Sequence, residues 1–317
     1  MTGTPDSMAG WPPPALDPAG PFAGPLNVLA WVLFAMAAAV LAIVLVALGV
    51  ALFGPRRWRK RLGGERLIWI GGLAFPVVVL SALLVYGLGL TGRLSEEPRP
   101  DEMRVRVTGE MWWWRVAYLD AAGREVLQDA NELHIPVGRP VVLELDSADV
   151  IHSFWVPRLA GKVDMIPGRR NFLRIQADAP GAYGGQCAEY CGGPHALMGF
   201  VVVAHEPAAF EAWRVRQAAP AAAAAIPHAG AAVFARAGCG ACHTVAGTAF
   251  NGLAGPDLSH VGSRRTLGAG ILPNNQGTMA GWIADSQSIK PGNRMPAYPV
   301  LTGRELRDVS AWLESLE

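Results

Sequence analysis

Two long stretches without a charged residue limit what this chain can fold into. No charge lies between Asp17 and Arg56, and a second uncharged stretch runs from Leu67 to Thr91. Each exceeds the roughly 20 residues that carry a helix across a ~30 Å hydrocarbon core. The composition agrees, because hydrophobic residues make up 51% of the chain and charged residues only 17%. We therefore expect a transmembrane hairpin of two helices over residues 27–93.

The loop between these stretches, residues 54–66, is strongly basic. Its basic residues are Arg56, Arg57, Arg59, Lys60, Arg61 and Arg66. By the positive-inside rule this loop is cytoplasmic. Residues 1–26 and everything after Arg93 then lie on the outer side, which we expect to be the periplasmic side of a bacterial inner membrane. The net charge of +1 excludes a chain-wide basic surface for nucleic acid.

The chain beyond the hairpin divides into two soluble units with different patterns. Residues 94–208 contain short β-type runs separated by turn residues, as in a sandwich or barrel. The runs are Val105–Thr108, Trp112–Tyr118, Val141–Leu145, Asn171–Ile175 and Gly199–Val203. Residues 209–226 are expected to be a linker, and the alanine-rich stretch Gln217–Ile226 within it is expected to bury little. Residues 227–317 form the second unit and end in a helical pattern.

Four residues of metal-ligating type lie close together near the end of the first unit. Cys187, Cys191, His195 and Met198 can converge on one point if their segment is a loop, and His152 lies at the end of a separate strand candidate. Thiolate and thioether ligands beside imidazoles favour copper over zinc. Two thiolates can also bridge a second metal. The alternative is a plain disulfide, since both cysteines face an oxidising compartment.

The second unit begins with the pattern C-x-x-C-H at Cys239, Cys242 and His243. This spacing suits covalent attachment of one haem, with the histidine bound to its iron. A thioredoxin-type site would need a βαβ pattern, and a zinc site would need a second ligand pair. The other iron ligand is expected to be Met295, which precedes a proline, whereas Met279 lies in an apparent helix and is expected in the core.

The pattern C-x-E-x-C-x-x-x-H-x-x-M from Cys187 to Met198, behind two apolar helices, resembles the copper loop of cytochrome c oxidase subunit II. Three further segments are similar to that family: Gly109–Trp114, Leu133–Gly138 and Gly161–Arg169. With the haem motif behind it, the whole chain resembles the caa-type members, which carry a fused cytochrome c. The resemblance implies a two-helix transmembrane hairpin, an all-β cupredoxin-like domain and an all-α class I cytochrome c domain.

The resemblance also implies the ligands of both cofactors. Cys187 and Cys191 would bridge the two coppers of a binuclear CuA centre. The remaining copper ligands would be His152, His195, Met198 and the backbone carbonyl of Glu189. One haem c would be bound by Cys239, Cys242, His243 and Met295. The segment Gly255-Pro256 is similar to the one whose proline carbonyl holds the axial imidazole.

The resemblance implies three further roles, one of them for the carboxylate of Glu189. Trp112 falls where the family has the aromatic residue through which electrons reach the copper. At least two of the three tryptophans at 112–114 are expected simply to pack a core or to lie near the membrane surface. The carboxylate of Glu189 would bind a magnesium ion shared with subunit I. Glu65 lies near the family's proton-path carboxylate, but its spacing to Trp69 and Pro76 differs, and the alternative is a solvated loop charge. Glu110 replaces a histidine common in the family.

The function implied is that of subunit II of a respiratory haem-copper terminal oxidase. Electrons would pass from haem c to CuA and then to haem in subunit I, where oxygen is reduced to water with proton translocation. The expected partners are subunits I and III, membrane lipid, and a donor such as a cytochrome c or bc1 complex.

Three alternative functions can be distinguished from an oxidase subunit II. A stand-alone membrane-tethered carrier would have both centres but would purify without a haem-copper subunit. A quinol-oxidase subunit II typically lacks the copper ligands. Nitrous oxide reductase has a similar copper loop but needs a large additional domain, for which 317 residues leave no room.

Overall fold

The computed structural model describes residues 13–94, 99 and 102–317. Among these residues, two continuous helices are long and apolar enough to cross a membrane, Gly24–Phe53 (α1) and the span Glu65–Gly92. At about 1.5 Å per residue each is longer than the ~30 Å hydrocarbon core. Their apolar side chains are exposed, as lipid-facing side chains would be. The expected outer segment 1–26 lies partly outside the described residues, because residues 1–12 do.

The basic loop and the second span are helical, with a change of helix type inside the span. The basic loop contains a short helix, α2 (Arg56–Leu62), which ends at Gly63. The span then begins with α3 (Glu65–Leu67), widens into π-helical turns over Ile68–Ala74 and continues as α4 (Phe75–Leu94). Pro76 lies in the first turn of α4, where a missing N–H costs no hydrogen bond within that helix. The helical pitch therefore changes immediately before Pro76.

Ten strands form the first soluble domain. They are β1 (Met103–Glu110), β2 (Trp113–Leu119), β3 (Glu125–Ala130), β4 (Glu132–Pro136), β5 (Val141–Ser147), β6 (His152–Trp155), β7 (Val163–Met165), β8 (Asn171–Ile175), β9 (Gly181–Cys187) and β10 (Gly199–His205). One sheet has the order β3-β2-β1-β5-β8 and the other β4-β10-β9-β6-β7. β1 pairs in parallel with β5, and β4 with β10, while the other pairs are antiparallel. The domain is a cupredoxin-like β-sandwich.

The core of the sandwich lies between the inner faces of the two sheets. Trp114, from one sheet, packs against Phe154 and Phe200, from the other, with ring centroids 5.8 and 5.0 Å away. Val105 pairs with Leu143 in the parallel register of β1 and β5, and both are fully buried. This packing places one end of β6, β9 and β10 side by side, which is where the metal-ligating residues lie.

The structure differs from the expected linker over 209–226. Its first part belongs to a helix, α5 (Pro207–Gln217), whose Phe210 and Trp213 are buried in the sandwich core. Ala221, farther along, is buried in the core of the next domain. Much of the expected linker is therefore packed, and Ala221 within the alanine-rich stretch is buried although little burial was expected there. Phe210 and Trp213 are three residues apart and share the apolar face of a helix.

The last domain is mainly helical. Its elements are α6 (Ala229–Arg236), β11 (Thr266–Leu267), β12 (Leu272–Pro273), α7 (Gln276–Ala284), α8 (Ser286–Ile289) and α9 (Gly303–Glu314). Thr302 and Glu305 form a capping box that starts α9. The predicted helical pattern at the end of the unit is confirmed by α9, whose Val309, Trp312 and Leu313 are buried. The sandwich and this domain belong to one compact unit.

Candidate functional site

The metal-ligating loop is closed by the strands on either side of it. Cys187 is the last residue of β9, and β10 begins just after Met198. The Cys187 N–H donates to the Met198 carbonyl over 2.9 Å, and the two strands pair antiparallel. Phe154 of β6 pairs with Cys187, which brings the start of β6, His152, to the same place. Strand pairing therefore assembles the residues that the sequence predicted as a group.

The candidate ligands lie around two sulfur atoms. Cys187 Sγ is 3.8 Å from Cys191 Sγ. Cys187 Sγ also lies 3.9 Å from His152 Nδ1 and 3.2 Å from the Glu189 carbonyl oxygen, and Cys191 Sγ lies 3.5 Å from His195 Nδ1 and 3.8 Å from Met198 Sδ. Each sulfur thus has its own pair of further donors, and the two sulfurs face each other between them.

This geometry fits a metal centre better than a disulfide. The 3.8 Å between the sulfurs of Cys187 and Cys191 is well beyond the ~2.05 Å of an S–S bond. One donor atom from each of His152, Cys187 and Cys191 lies within 4.8 Å of the other two, and all three residues are buried. Thiolate, thioether and imidazole donors together suit copper.

The electrostatics of the pair favour metal binding. The hydrogen bond between the two thiols holds the pKa of Cys187 well below its usual range and raises the pKa of Cys191, since one proton serves both sulfurs. Burial opposes protonation of His152, but its hydrogen bonds to Cys187 and Asp149 outweigh burial and raise its pKa. A thiolate is therefore available at neutral pH, and a thiolate is the form that binds metals.

Asp149 supports the copper loop and was missed at the sequence level. Its Oδ1 lies 2.9 Å from His152 Nε2, and its Oδ2 accepts a 2.8 Å hydrogen bond from the Met111 N–H. A carboxylate on the second ring nitrogen fixes the orientation of a metal-bound histidine. The spacing D-x-x-H was a signal that could have identified it.

Trp112 lies directly against the candidate copper loop. Its indole Nε1 donates to the Cys191 carbonyl oxygen over 2.8 Å. The backbone of Gly192 has a positive φ of 114°, and a Cβ there would come within 2.9 Å of the Trp112 ring, so glycine is required at this position. Trp114 is a core residue, 1% exposed, whereas Trp113 packs under the Arg115 guanidinium. The expectation that some of these tryptophans only pack the fold is confirmed for Trp114.

The three glutamates that the resemblance singles out lie in different surroundings. The Glu189 carbonyl oxygen faces Cys187, while its carboxylate is half-exposed and 3.6 Å from Lys162 Nζ. Glu65 is exposed at the first turn of the second span, where an acidic side chain also suits the helix dipole. Glu110 is buried and ion-paired with Arg115 over 2.7 Å.

In the helical domain, the haem-attachment motif forms one wall of a cavity. Cys239 begins a short 3₁₀ turn, and the His243 ring lies beyond it with Nδ1 donating to the Pro256 carbonyl oxygen over 2.8 Å. Burial lowers the pKa of His243. A Cβ on Gly255 would stand 2.5 Å from the His243 ring, so only glycine fits there. The ring is neutral at physiological pH and keeps Nε2 for an iron.

The cavity has a volume of about 360 Å³, which falls in the range of cofactor sites. Cys239, Cys242, His243 and Met295 all line it. Met295 Sδ accepts a 3.1 Å hydrogen bond from Trp282 Nε1. Met279 also lines the cavity but is 3% exposed and belongs to the core of the domain, as expected. The cavity thus brings together the four residues predicted to bind haem c.

The β-sandwich supplies part of the cavity wall. Met111, Trp112, Trp113 and Asn131 line the same cavity as the haem-binding residues. Trp112 therefore borders the candidate haem site on one side and the candidate copper loop on the other.

A chain with two apolar helices, a cupredoxin-like domain with a thiolate-imidazole loop and a cytochrome c domain is a membrane-bound electron-transfer protein. The family described as "Cytochrome C oxidase subunit II, periplasmic domain" matches residues 117–205, and the family "Cytochrome c" matches residues 227–317. The chain belongs to the cytochrome c oxidase subunit II family and carries a C-terminal cytochrome c domain, as the caa-type members do. It is thus a subunit of a haem-copper oxidase, with an extracellular domain.

Curated relatives extend over nearly the whole chain. A cytochrome c oxidase subunit 2 from Alkalihalophilus pseudofirmus is 34% identical over 322 residues, covering 96% of this chain and 90% of the relative. The Bacillus subtilis protein of the same name is 29% identical, covering 81% and 77%. The periplasmic domain of subunit II from Bradyrhizobium japonicum covers 38% of this chain and 95% of that chain, with 30% identity and a TM-score of 0.35. The family implies CuA copper in the sandwich and haem c in the cytochrome domain.

Proposed function

We propose that this chain is the electron-accepting subunit of its oxidase. Electrons from an outside donor enter at the haem c site, pass to the copper site and leave for haem in subunit I. There oxygen is reduced to water, coupled to proton translocation. The observation that carries this proposal is the position of Trp112, which lines the haem cavity and donates to the Cys191 carbonyl oxygen over 2.8 Å.

Two coppers and one haem c would supply the one-electron chemistry. Cys239 and Cys242 would hold the haem covalently, and His243 and Met295 would bind its iron, which would then transfer electrons and not bind oxygen. The copper ligands would be His152, Cys187, Glu189 through its carbonyl, Cys191, His195 and Met198. The surroundings of the two sulfurs support this assignment, since each has two further donors within 4 Å.

Two further sites concern the partner subunits. The half-exposed Glu189 carboxylate is available to a magnesium ion held jointly with subunit I. Glu65, exposed at the start of the second span, is the candidate for a proton-path carboxylate. We further propose that the chain assembles with subunits I and III in a bacterial inner membrane, with both termini outside. Its donor would be a cytochrome c or a bc1 complex.

Purification in mild detergent tests the assembly. We expect two coppers and one haem c per chain, together with the optical bands of a co-purifying haem-copper subunit. Metal analysis and an absorption spectrum measure both. Recovery of the chain alone, with both centres filled and no partner subunit, would contradict the proposal.

Replacement of Trp112 tests the electron path. Trp112→Leu removes both the ring at the cavity wall and the indole N–H bonded to Cys191, so electron transfer from photoreduced haem c to copper should slow. Trp112→Phe, which keeps an aromatic ring, should slow it less. Equal rates in wild type and both variants would show that electrons take another route.

A further inference from the structure

Lys290 is a buried lysine that bridges the two redox domains. It lies just after α8 of the cytochrome domain and is 2% exposed. Its Nζ donates over 2.6 Å to the carbonyl oxygen of Trp112, in the sandwich, and over 2.9 Å to that of Gly268, in the cytochrome domain. Removing an ammonium group from water is costly unless hydrogen bonds replace the water. Here two carbonyl groups replace it, one from each domain.

The turn that follows Lys290 lies against the Trp112 ring. A Cβ built on Gly292 would lie 3.7 Å from two atoms of the six-membered ring of Trp112. Lys290 thus binds the Trp112 backbone, and the turn at Gly292 passes near the far edge of the Trp112 ring. Its indole N–H is bonded to Cys191 on the copper loop.

The same turn leads to the proposed iron ligand. Asn293 Oδ1 accepts the N–H of Met295 over 2.8 Å, and Asn293 Nδ2 donates to the Lys290 carbonyl oxygen over 2.8 Å. Lys290 and Met295 both line the haem cavity. One short segment therefore connects the contact with Trp112 to the cavity in which the haem would bind.

We propose that Lys290 is the positioning residue that holds the cytochrome domain on Trp112 and thereby sets the separation of the haem cavity from the copper loop. This inference rests on the proposed function. Because electron transfer slows steeply with distance, loosening this contact slows transfer even when both cofactors are bound. Burial also lowers the pKa of Lys290 to about 7, which agrees with an ammonium group almost fully removed from water.

The test compares four forms of the full oxidase complex. Lys290→Met removes the donors and keeps an unbranched side chain, whereas Lys290→Arg keeps a charged donor. Arg304→Met is the matched control, since it removes one cation from the same domain at a side chain that is 86% exposed. Flash photoreduction of haem c, followed at the haem and copper absorption bands, gives the internal transfer rate. Hydrogen exchange of the segments around Gly268 and Lys290 reports the contact itself.

We expect Lys290→Met to slow haem-to-copper transfer by up to about tenfold to a hundredfold, because losing a hydrogen bond from a charged group lowers the docked fraction by at most that factor. Exchange in both segments should rise, the two optical spectra should be unchanged, and Lys290→Arg should regain most of the rate. Arg304→Met should match wild type. If Lys290→Met does not retain haem, Lys290→Gln replaces it in the comparison.

Wild-type rate and wild-type exchange in the lysine variant would overturn the role of Lys290. Failure of the proposed function has a different signature. In that case, haem c in the wild-type complex would not reduce copper at all, whatever residue stands at position 290.

Discussion

The copper loop and the haem cavity are built in opposite ways. The donor atoms of the copper loop lie within about 4 Å of its two sulfurs, and the loop is closed by paired strands of one domain. The haem cavity is lined by separate segments of the cytochrome domain and, on one side, by the sandwich. The copper loop should therefore tolerate changes at the domain contact, whereas the haem cavity and the transfer between the two sites should respond to them.

Buried polar groups make this domain contact specific. Asp129 of the sandwich accepts a 3.0 Å hydrogen bond from Arg264 Nε. Glu132 accepts from the backbone N–H groups of Arg265 and Thr266. Asp129, Glu132 and Arg264 are all less than a tenth exposed at the side chain. Such bonds are costly to leave unmade, so they hold the two domains in one arrangement.

The largest expected effects come from replacing one cysteine of the copper loop in one variant and one cysteine of the haem motif in another. Cys187→Ser removes one of the two sulfurs around which the candidate copper ligands lie, so we expect complete loss of copper and of turnover with haem c still attached. Cys239→Ser should do the reverse, impairing covalent haem attachment and leaving the copper signal. Metal analysis and the optical spectrum separate the two outcomes. Oxidase activity at the wild-type level in Cys187→Ser would refute the ligand assignment.

Asp149→Asn should weaken the copper loop without destroying it. Loss of a carboxylate partner of a metal-bound histidine typically costs about 10–100-fold in metal affinity. The measurement is copper retention against a competing chelator. Arg294→Gln is the matched control, because Arg294 also contacts Asp149 but not His152. If both variants retain copper like wild type, the Asp149 to His152 contact is not what supports the site.

The ligand loop could be predicted from the sequence because its information is local. Cys187, Cys191, His195 and Met198 lie within twelve residues, and their spacing alone identifies them. β9 was not predicted, since its glycines at 181, 184 and 185 carry little strand preference. Lys290 was beyond prediction, because one of its partners is a backbone carbonyl 178 residues away. Contacts between domains leave no periodic pattern in either segment.

A histidine pair at the far end of β10 predicts a loss of stability in acid. His205 Nε2 lies 2.8 Å from His134 Nδ1, and burial and the neighbouring His134 lower the pKa of His205 to about 4. In the unfolded chain the pKa of this histidine is about 6.5, so between this pH and about 4 the unfolded chain binds a proton on His205 that the folded chain does not. The contribution of His205 to the free energy of unfolding is therefore fully present above pH ~6.5 and is lost as the pH falls towards 4. The loss is up to about 2 kcal/mol after allowance for the partial exposure of the side chain.

Thermal unfolding of the complex at about pH 5 and about pH 7.5, followed by tryptophan fluorescence, measures this loss. His205→Gln cannot titrate and should reduce the difference between the two conditions. The copper spectrum of this variant should be unchanged, since the pair lies outside the ligand loop. An unaltered pH difference would show that other groups cause it.

Arg294→Gln should have the smallest effect on haem-to-copper transfer, although Arg294 also forms an ion pair between the two domains. Arg294 Nη2 lies 3.0 Å from Asp149 Oδ2, but its side chain is 55% exposed, and exposed ion pairs contribute at most about 1 kcal/mol. We expect haem-to-copper transfer to slow no more than a few-fold, and the difference from wild type to vanish at high salt, since salt screens exposed charges. Rates measured at low and high ionic strength check this. A loss as large as that expected for Lys290→Met would mean that the contact depends on its exposed charges and not on its buried hydrogen bonds.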